Sequence, residues 1–300
     1  MGSKKQNTSR SVSTRLLGRG RRLLAVLAVA GLIVAGAVWA WRSLAPRILG
    51  SPEFRLTAEQ IEITPPPEWI HSDIRGEVFR APTLDGPLSL MDDDLAKRIS
   101  DAFARHPWVA KVNRVDLHRR TVELVYRRPV CMVEVTGVAL PLPVDGEGTL
   151  LPTDDFSPVE AASYPLLSGV ERGPTGPPGS HWADAKVVGG AEIAAVIRPA
   201  WAALGLQRIV PLATDPTVAA VAGQEPPATG RRSGEPFFML VTRRGTQVLW
   251  GYAPGANAMG ELPAAQKLAR LQRYVNNNDS LDGPNGQRQV RDVRTMRDSL

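Results

Sequence analysis

The feature that most constrains this chain is an uncharged run of nineteen residues at 23–41, LLAVLAVAGLIVAGAVWAW. A helix rises about 1.5 Å per residue, so this run would be about 28 Å long. The hydrocarbon core of a bilayer is roughly 30 Å thick, and Trp39 and Trp41 would fall in its interfacial aromatic belt. The run therefore predicts a membrane-spanning helix. A cleaved signal peptide is the alternative, because Val38-Trp39-Ala40 loosely resembles a small-x-small cleavage site.

The positive charge of the chain is concentrated before this run. The whole sequence has 36 Lys and Arg against 30 Asp and Glu. Residues 1–22 contain seven of the basic residues and no acidic residue, so the remainder has 29 basic against 30 acidic side chains. This distribution argues against a body that binds nucleic acid. It predicts a cytoplasmic tail at 1–22, a linker at 42–53 and an extracytoplasmic body.

Residues 54–128 show strand and helix patterns in alternation. The segment 54–63 has the pattern of a strand and is ended by three consecutive prolines, which cannot donate to a ladder. A short helix is predicted at 71–79 and a stronger, amphipathic helix at 92–106. Two strands joined by a tight turn follow, so the segment predicts the element order β-α-α-β-β.

The last two strands of this segment form a predicted hairpin with two different faces. Val122, Leu124 and Tyr126 alternate with polar residues, which indicates one covered face. Arg119 and Arg120 fall in the turn, where charge is solvated. The arginines of this region are therefore predicted to coat a small sheet, and not to bind nucleic acid or line an active site.

Six short motifs follow one another along the body of the chain. They are HPWV at 106–109, RRPV at 127–130, LPVDGEGTLL at 142–151, YPLLSG at 164–169, AAQKLARLQRYV at 264–275 and VRDVR at 290–294. In their order and spacing they resemble the POTRA domain and the following β domain of the bacterial cell-division family FtsQ/DivIB.

The resemblance implies an α+β fold behind a single transmembrane helix. A POTRA domain would occupy residues 54–128. A larger mixed domain, mainly of antiparallel β-strands with helices, would occupy residues 129–300. The segment 214–236 departs from the family pattern, and its composition predicts a flexible loop.

The same resemblance implies a non-catalytic scaffold of the bacterial divisome. In that family the β domain engages small coiled-coil proteins of the FtsB/FtsL type and works with the septal peptidoglycan synthase complex. The physical mechanism would be β-augmentation, in which a partner strand pairs with an exposed sheet edge. That edge maps to Val290, Asp292, Val293 and Arg294. The implied location is the inner (cytoplasmic) membrane at the division septum, with the N-terminus in the cytoplasm.

A second interpretation is a POTRA-containing envelope component of protein transport or secretion, which would chaperone exported chains. Tandem POTRA repeats would favour this interpretation, and the sequence contains one such pattern.

The sequence shows no recognisable catalytic, metal-binding or cofactor-binding motif. It has four histidines: His71, His106, His118 and His181. None of them has a second ligand at a metal-binding spacing. Three aspartates at 92–94 are typical of a helix start, and Cys131, which is the only cysteine, is typical of a core position. We therefore expect no enzyme activity, no cofactor, no metal and no small-molecule substrate.

Overall fold

The computed structural model of the protein describes residues 29–42, 56–84, 88–90, 92–214, 216, 235–256, 258, 260–283 and 288–294. The predicted tail at 1–22, nearly all of the predicted linker and most of the loop predicted at 214–236 lie outside these residues.

The chain divides into two compact units. The first contains Met1–Gln60 and Gly86–Leu95, and the second contains Ile61–Asp85 and Ala96–Leu300. Both β-sheets lie in the second unit. The domain boundary predicted after residue 128 stays a prediction.

The first unit contains helix α1 at 29–42, which exposes large apolar side chains. Among the described residues no helix is long and apolar enough to cross a membrane. The prediction of a transmembrane helix at 23–41 is therefore wrong for the described part of the run, and residues 23–28 lie outside that part.

A three-stranded sheet forms the first part of the second unit. Its strands are β1 (Glu62–Ile63), β2 (Val109–Asp116) and β3 (Thr121–Tyr126), in the order β1-β3-β2. β3 pairs parallel with β1 and antiparallel with β2. Helices α2 (Ile74–Arg80) and α3 (Leu95–Ala104) lie between β1 and β2 in the chain, so the element order is β-α-α-β-β. This is the order that the sequence predicts.

Helix α3 starts three residues later than predicted. Asp92 lies before the helix, where its carboxylate accepts a hydrogen bond from the Asp94 N–H and its carbonyl accepts one from the Leu95 N–H. Leu95, Ile99 and Phe103 follow at helical spacing and are fully buried. Asp92 thus accepts hydrogen bonds from N–H groups at the start of the helix, and Leu95, Ile99 and Phe103 form its buried apolar face.

The larger sheet has seven strands. They are β4 (Pro129–Val135), β5 (Leu142–Asp145), β6 (Leu166–Val170), β7 (Leu206–Leu212), β8 (Phe237–Thr242), β9 (Gln247–Gly251) and β10 (Val290–Asp292). Their order is β10-β9-β8-β7-β6-β4-β5. The pairs β10/β9, β7/β6 and β6/β4 are parallel, and the other three pairs are antiparallel. The predicted mainly antiparallel sheet is therefore wrong, since helical crossovers bring strands back in the same direction.

Three helices accompany the larger sheet. They are α4 (Pro158–Ser163), α5 (Ala185–Ile197) and α6 (Ala264–Asn278). α5 packs directly on β4, β6 and β7. A Cβ added at Gly190 would come within 2.6 Å of the Leu167 side chain, and one at Gly189 within 2.7 Å of Phe238. These two glycines let the backbone of α5 approach the sheet closely, and the core lies between α5 and the sheet.

A buried carboxylate connects the smaller sheet region to the larger one. Asp155 Oδ1 accepts hydrogen bonds from the backbone N–H groups of His71 (2.9 Å) and Ser72 (2.7 Å). Its Oδ2 accepts from Trp108 Nε1 (2.6 Å) and from the Ser72 hydroxyl (3.1 Å). A buried charge is stable only when such partners replace its water. Asp155, which lies between β5 and α4, therefore fixes the segments that precede α2 and β2.

The predicted faces of the β2–β3 hairpin are confirmed. Val122 and Leu124 are buried, whereas in the turn Arg119 is exposed and Arg120 is half-buried. Arg119 therefore lies in solvent, as predicted. Arg127, which follows β3, differs from the prediction because it is half-buried and donates to Asp145 Oδ2 at 2.7 Å.

Leu124→Ala should lower the free energy of unfolding by about 2–5 kcal/mol, because it removes a buried aliphatic side chain and leaves a cavity. Arg119→Ser should change it by less than about 0.5 kcal/mol, because the side chain is exposed. Chemical denaturation followed by circular dichroism measures both values. A larger loss for Arg119→Ser than for Leu124→Ala would show that the faces are inverted.

Candidate partner-binding edge

Strand β10 is the outermost strand of the seven-stranded sheet. It pairs parallel with β9, with Val290 opposite Gln247 and Asp292 opposite Leu249. Beyond the strand, the Gln247 N–H donates to the Gln289 carbonyl at 2.8 Å, and the Val293 N–H donates to the Leu249 carbonyl at 3.3 Å. Residues 289 and 293 therefore direct their backbone groups towards β9.

The alternation of a strand decides which backbone groups face outwards. Successive residues direct their N–H and C=O groups to opposite sides, so Val290 and Asp292 face away from β9. Among the described residues, no backbone group pairs with the outer N–H and C=O groups of these two residues. Two donors and two acceptors therefore remain available for another strand.

The opposite edge of the sheet is covered. The N–H of Asp145 in β5 donates to the Thr149 carbonyl, and the Leu151 N–H donates to the Pro143 carbonyl. The Leu150 N–H in turn donates to the carbonyl of Ser180 at 3.0 Å. The following turn thus occupies the outer side of β5, so the two edges of the sheet differ in their capacity to accept a strand.

The four residues predicted to bind a partner have different environments. Val290 exposes 66% of its surface, as a docking residue should. Val293 is fully buried in the core and directs its N–H towards β9. Asp292 and Arg294 pair with each other. The structure thus places Val290 and the outward backbone of Asp292 at the open edge, and it gives Val293 a packing role.

The buried side chain of Arg291 holds β10 in place, although the motif VRDVR gives no sign of this role. Its Nε donates to the Leu281 carbonyl at 2.7 Å, and its guanidinium stacks over the Tyr274 ring at 3.9 Å from the centroid. A second guanidinium nitrogen donates to the Gln289 side chain at 2.6 Å. Buried arginine needs such partners, so the strand is tied both to α6 and to the loop that follows α6.

The Asp292–Arg294 pair stiffens the end of the strand. Arg294 Nε donates to Asp292 Oδ1 at 2.9 Å, and a terminal nitrogen donates to Oδ2 at 2.6 Å, which is a bidentate arrangement. Burial acts to raise the pKa of the Asp292 carboxyl, but the hydrogen bonds and charge of Arg294 outweigh it and lower that pKa. The Arg294 carbonyl also accepts from the Leu262 N–H at 2.8 Å.

A buried lysine supports the neighbouring strand β9. Lys267 Nζ donates to the Trp250 carbonyl at 2.8 Å and to Glu261 Oε2 at 2.5 Å. The same Glu261 oxygen accepts from the Tyr252 N–H at 3.2 Å. Desolvation lowers the pKa of Lys267, although Glu261 opposes this effect by stabilising the ammonium. The Lys267–Glu261 pair holds α6 against β9, the strand with which β10 pairs.

The residues considered for catalysis are not brought into one site. His106 Nε2 lies 3.1 Å from Glu77, and the His71 ring contacts the Asp155 carbonyl. His181 forms a bridge with Thr149. The Cys131 thiol is fully buried, and this burial raises its pKa. Within the described residues no group of three or more His, Cys, Asp or Glu could hold a metal ion.

Glu261→Ala should lower the free energy of unfolding by about 3–5 kcal/mol, because it leaves the Lys267 ammonium buried without its counterion. The double variant Glu261→Ala/Lys267→Met should recover a large part of this loss, since no charge is then buried. Thermal and denaturant unfolding of the four proteins in the cycle measure the effect. A double variant that is less stable than Glu261→Ala would contradict this account of the pair.

The Asp292–Arg294 pair should make stability depend on acid pH. The folded pKa of Asp292 lies below the value of about 3.9 for an unfolded aspartate, so the contribution is fully present above that value. It is lost as the pH falls through the folded pKa. The difference in melting temperature between the unmodified protein and Asp292→Asn should therefore be large at pH 7 and shrink as the pH approaches about 2. A difference that stays constant over this range would refute the assignment.

The chain matches the profile of no known protein family, and no curated protein is significantly similar to it in sequence. The resemblance to the FtsQ/DivIB family therefore depends on the motifs in the chain itself.

Proposed function

We propose that the protein is a non-catalytic scaffold that binds an extended segment of a partner protein along β10. The observation that carries the proposal is the outer side of this strand, where the backbone groups of Val290 and Asp292 have no backbone partner among the described residues. Exposed edges usually invite unwanted pairing and are covered, as β5 is here. In this sheet the edge at β5 is covered and the opposite edge at β10 is open among the described residues, which suits strand addition by a specific partner.

The setting we propose is the bacterial division site. The FtsQ/DivIB-like motifs support it, and so does the place of VRDVR on the outermost strand, where that resemblance puts partner binding. The partner is then a small coiled-coil division protein of the FtsB/FtsL type, in contact with the septal peptidoglycan synthase complex. The scaffold would act on the extracytoplasmic side of the inner membrane.

Arginine recurs every third residue at 288, 291, 294 and 297, which would suit an acidic partner segment. Side-chain charge nevertheless has a small role in this proposal. Arg291 is buried against Tyr274, and Arg294 pairs with Asp292. Arg288 is exposed and remains available to an acidic partner residue, and Arg297 lies outside the described residues. Backbone pairing supplies most of the affinity, and Arg288 adds orientation.

The test removes one backbone N–H that points away from β9. Val290→Pro removes the N–H that faces the partner while leaving the pairing with β9 intact, because a proline on the outer side of an edge strand is tolerated. Val290→Ala, the matched control, keeps that N–H and loses only the side chain. Division proteins should co-purify with the tagged full-length Val290→Ala protein and be reduced at least about tenfold with Val290→Pro.

Circular dichroism and melting temperature establish that both variants fold. Undiminished recovery of division partners with folded Val290→Pro would refute strand addition at β10. Recovery of exported, unfolded chains in place of division proteins would support the transport interpretation instead. Val293→Pro is not a suitable probe, since this N–H is bonded to β9.

A further inference from the structure

An apolar groove lies on the face of the larger sheet that is turned away from α5. Its volume is about 580 Å³, within the roughly 300–1,000 Å³ of pockets that hold drug-sized ligands. Met132 of β4 and Leu166 of β6 are register partners in its floor. The next residues, Val133 and Leu167, face the core under α5. The floor of the groove therefore lies on the other face of the same sheet, and Trp201 and Leu206 of its lining also belong to the core.

Helix α4 and three aromatic rings form the walls of this groove. Ala161 and Ala162 line it from the helix, and the rings are those of Phe156, Tyr164 and Trp201. Leu140, which is 66% exposed, extends the apolar surface beyond the groove at the β5 end. A surface of this kind is costly to leave in water, which indicates a ligand.

The other end of the groove is polar and positively charged. Gln207 and Arg243 line it where β7 begins and β8 ends. Arg243 is exposed, and within the described part of the chain its guanidinium has no hydrogen-bond or ion-pair partner. A guanidinium matches the geometry of a carboxylate in two parallel hydrogen bonds. The distance between the two ends is about four strand spacings, roughly 19 Å.

Because the groove lies on the face of a sheet, an extended peptide is a poor occupant. The backbone groups of these strands are used within the sheet, so they cannot pair with a peptide lying across the face. The hydrogen-bonding side chains of the lining are those of Thr153, Tyr164, Trp201, Gln207 and Arg243. A peptide would leave its own buried N–H and C=O groups unpaired, whereas an alkyl chain has none to satisfy.

We propose that this groove binds a free single-chain fatty carboxylate, with the alkyl chain on Met132, Leu166 and the aromatic wall and the carboxylate on Arg243. The volume suits one chain, the lining suits a hydrocarbon, and the single cation lies at one end. This site is independent of the proposed partner edge, so its test can fail without affecting that proposal.

The first experiment tests the charge at the end of the groove. The purified full-length protein is titrated with dodecanoate and with dodecanol, both below their micelle concentrations, and binding is measured by calorimetry. Arg243→Gln should weaken dodecanoate binding about three- to fivefold, the effect of one exposed ion pair, and leave dodecanol binding unchanged. Arg244→Gln is the matched control, because it removes the same charge one residue outside the groove.

The second experiment fills the groove. Ala162→Trp places a large ring on the wall and should abolish binding of both probes, whereas Val159→Trp should not, since Val159 is on the same helix, 81% exposed and outside the groove. A dodecanoate brominated next to its carboxylate should quench the fluorescence of the unmodified protein and less so that of Trp201→Phe, because Trp201 adjoins Leu206 at the Arg243 end of the groove.

Three outcomes would overturn the proposal. They are no saturable binding of dodecanoate, an equal loss in Arg243→Gln and Arg244→Gln, or full binding by a folded Ala162→Trp protein. If Ala162→Trp does not fold, the comparison of the two arginine variants decides the question.

Discussion

A short edge strand can offer its outer side to a partner only if its inner side holds it in place. β10 has three residues, and pairing with β9 over so short a length is weak by itself. Arg291 compensates because it joins the strand to Leu281 and Tyr274 beneath the sheet. The Leu262 N–H secures the end of the strand through the Arg294 carbonyl. The edge is thus fixed in conformation before any partner arrives, which reduces the entropy lost on binding.

Buried charge provides this rigidity at several places in the second unit. Lys267, Arg291 and Asp155 are each buried and each have two or more hydrogen-bond partners. An apolar side chain of similar volume could give equal stability at such positions. A charged group differs because it tolerates few alternative arrangements, so it selects one geometry among segments that are far apart in the chain. Asp155 does this for the segments before α2 and β2, and Lys267 for α6 and β9.

Local features were predicted well from the sequence, and features that depend on distant residues were not. Alternation of Val122 and Leu124 predicted the hairpin faces, because that pattern depends only on neighbouring residues. The parallel pairs β6/β4 and β10/β9 were missed, since periodicity does not encode strand direction or order. The run at 23–41 matches a membrane span in composition, yet among the described residues no helix is long and apolar enough to cross a membrane. The resemblance to the FtsQ/DivIB family places Val293 at the edge together with Val290, because a sequence motif does not distinguish the inward N–H of Val293 from the outward N–H of Val290.

The seven-stranded sheet separates two kinds of binding chemistry. At β10 the available groups are backbone donors and acceptors, which recognise another backbone and discriminate little among apolar side chains. On the face formed by β4 to β7 those same groups are consumed by the sheet, so only side chains remain, and they are mostly apolar. An edge therefore suits a polypeptide, and a face suits a ligand without hydrogen-bonding groups along its length. This difference follows from where a sheet satisfies its own hydrogen bonds. For the two proposals it separates a polypeptide, which would pair with the edge, from a fatty carboxylate, which would lie on the face.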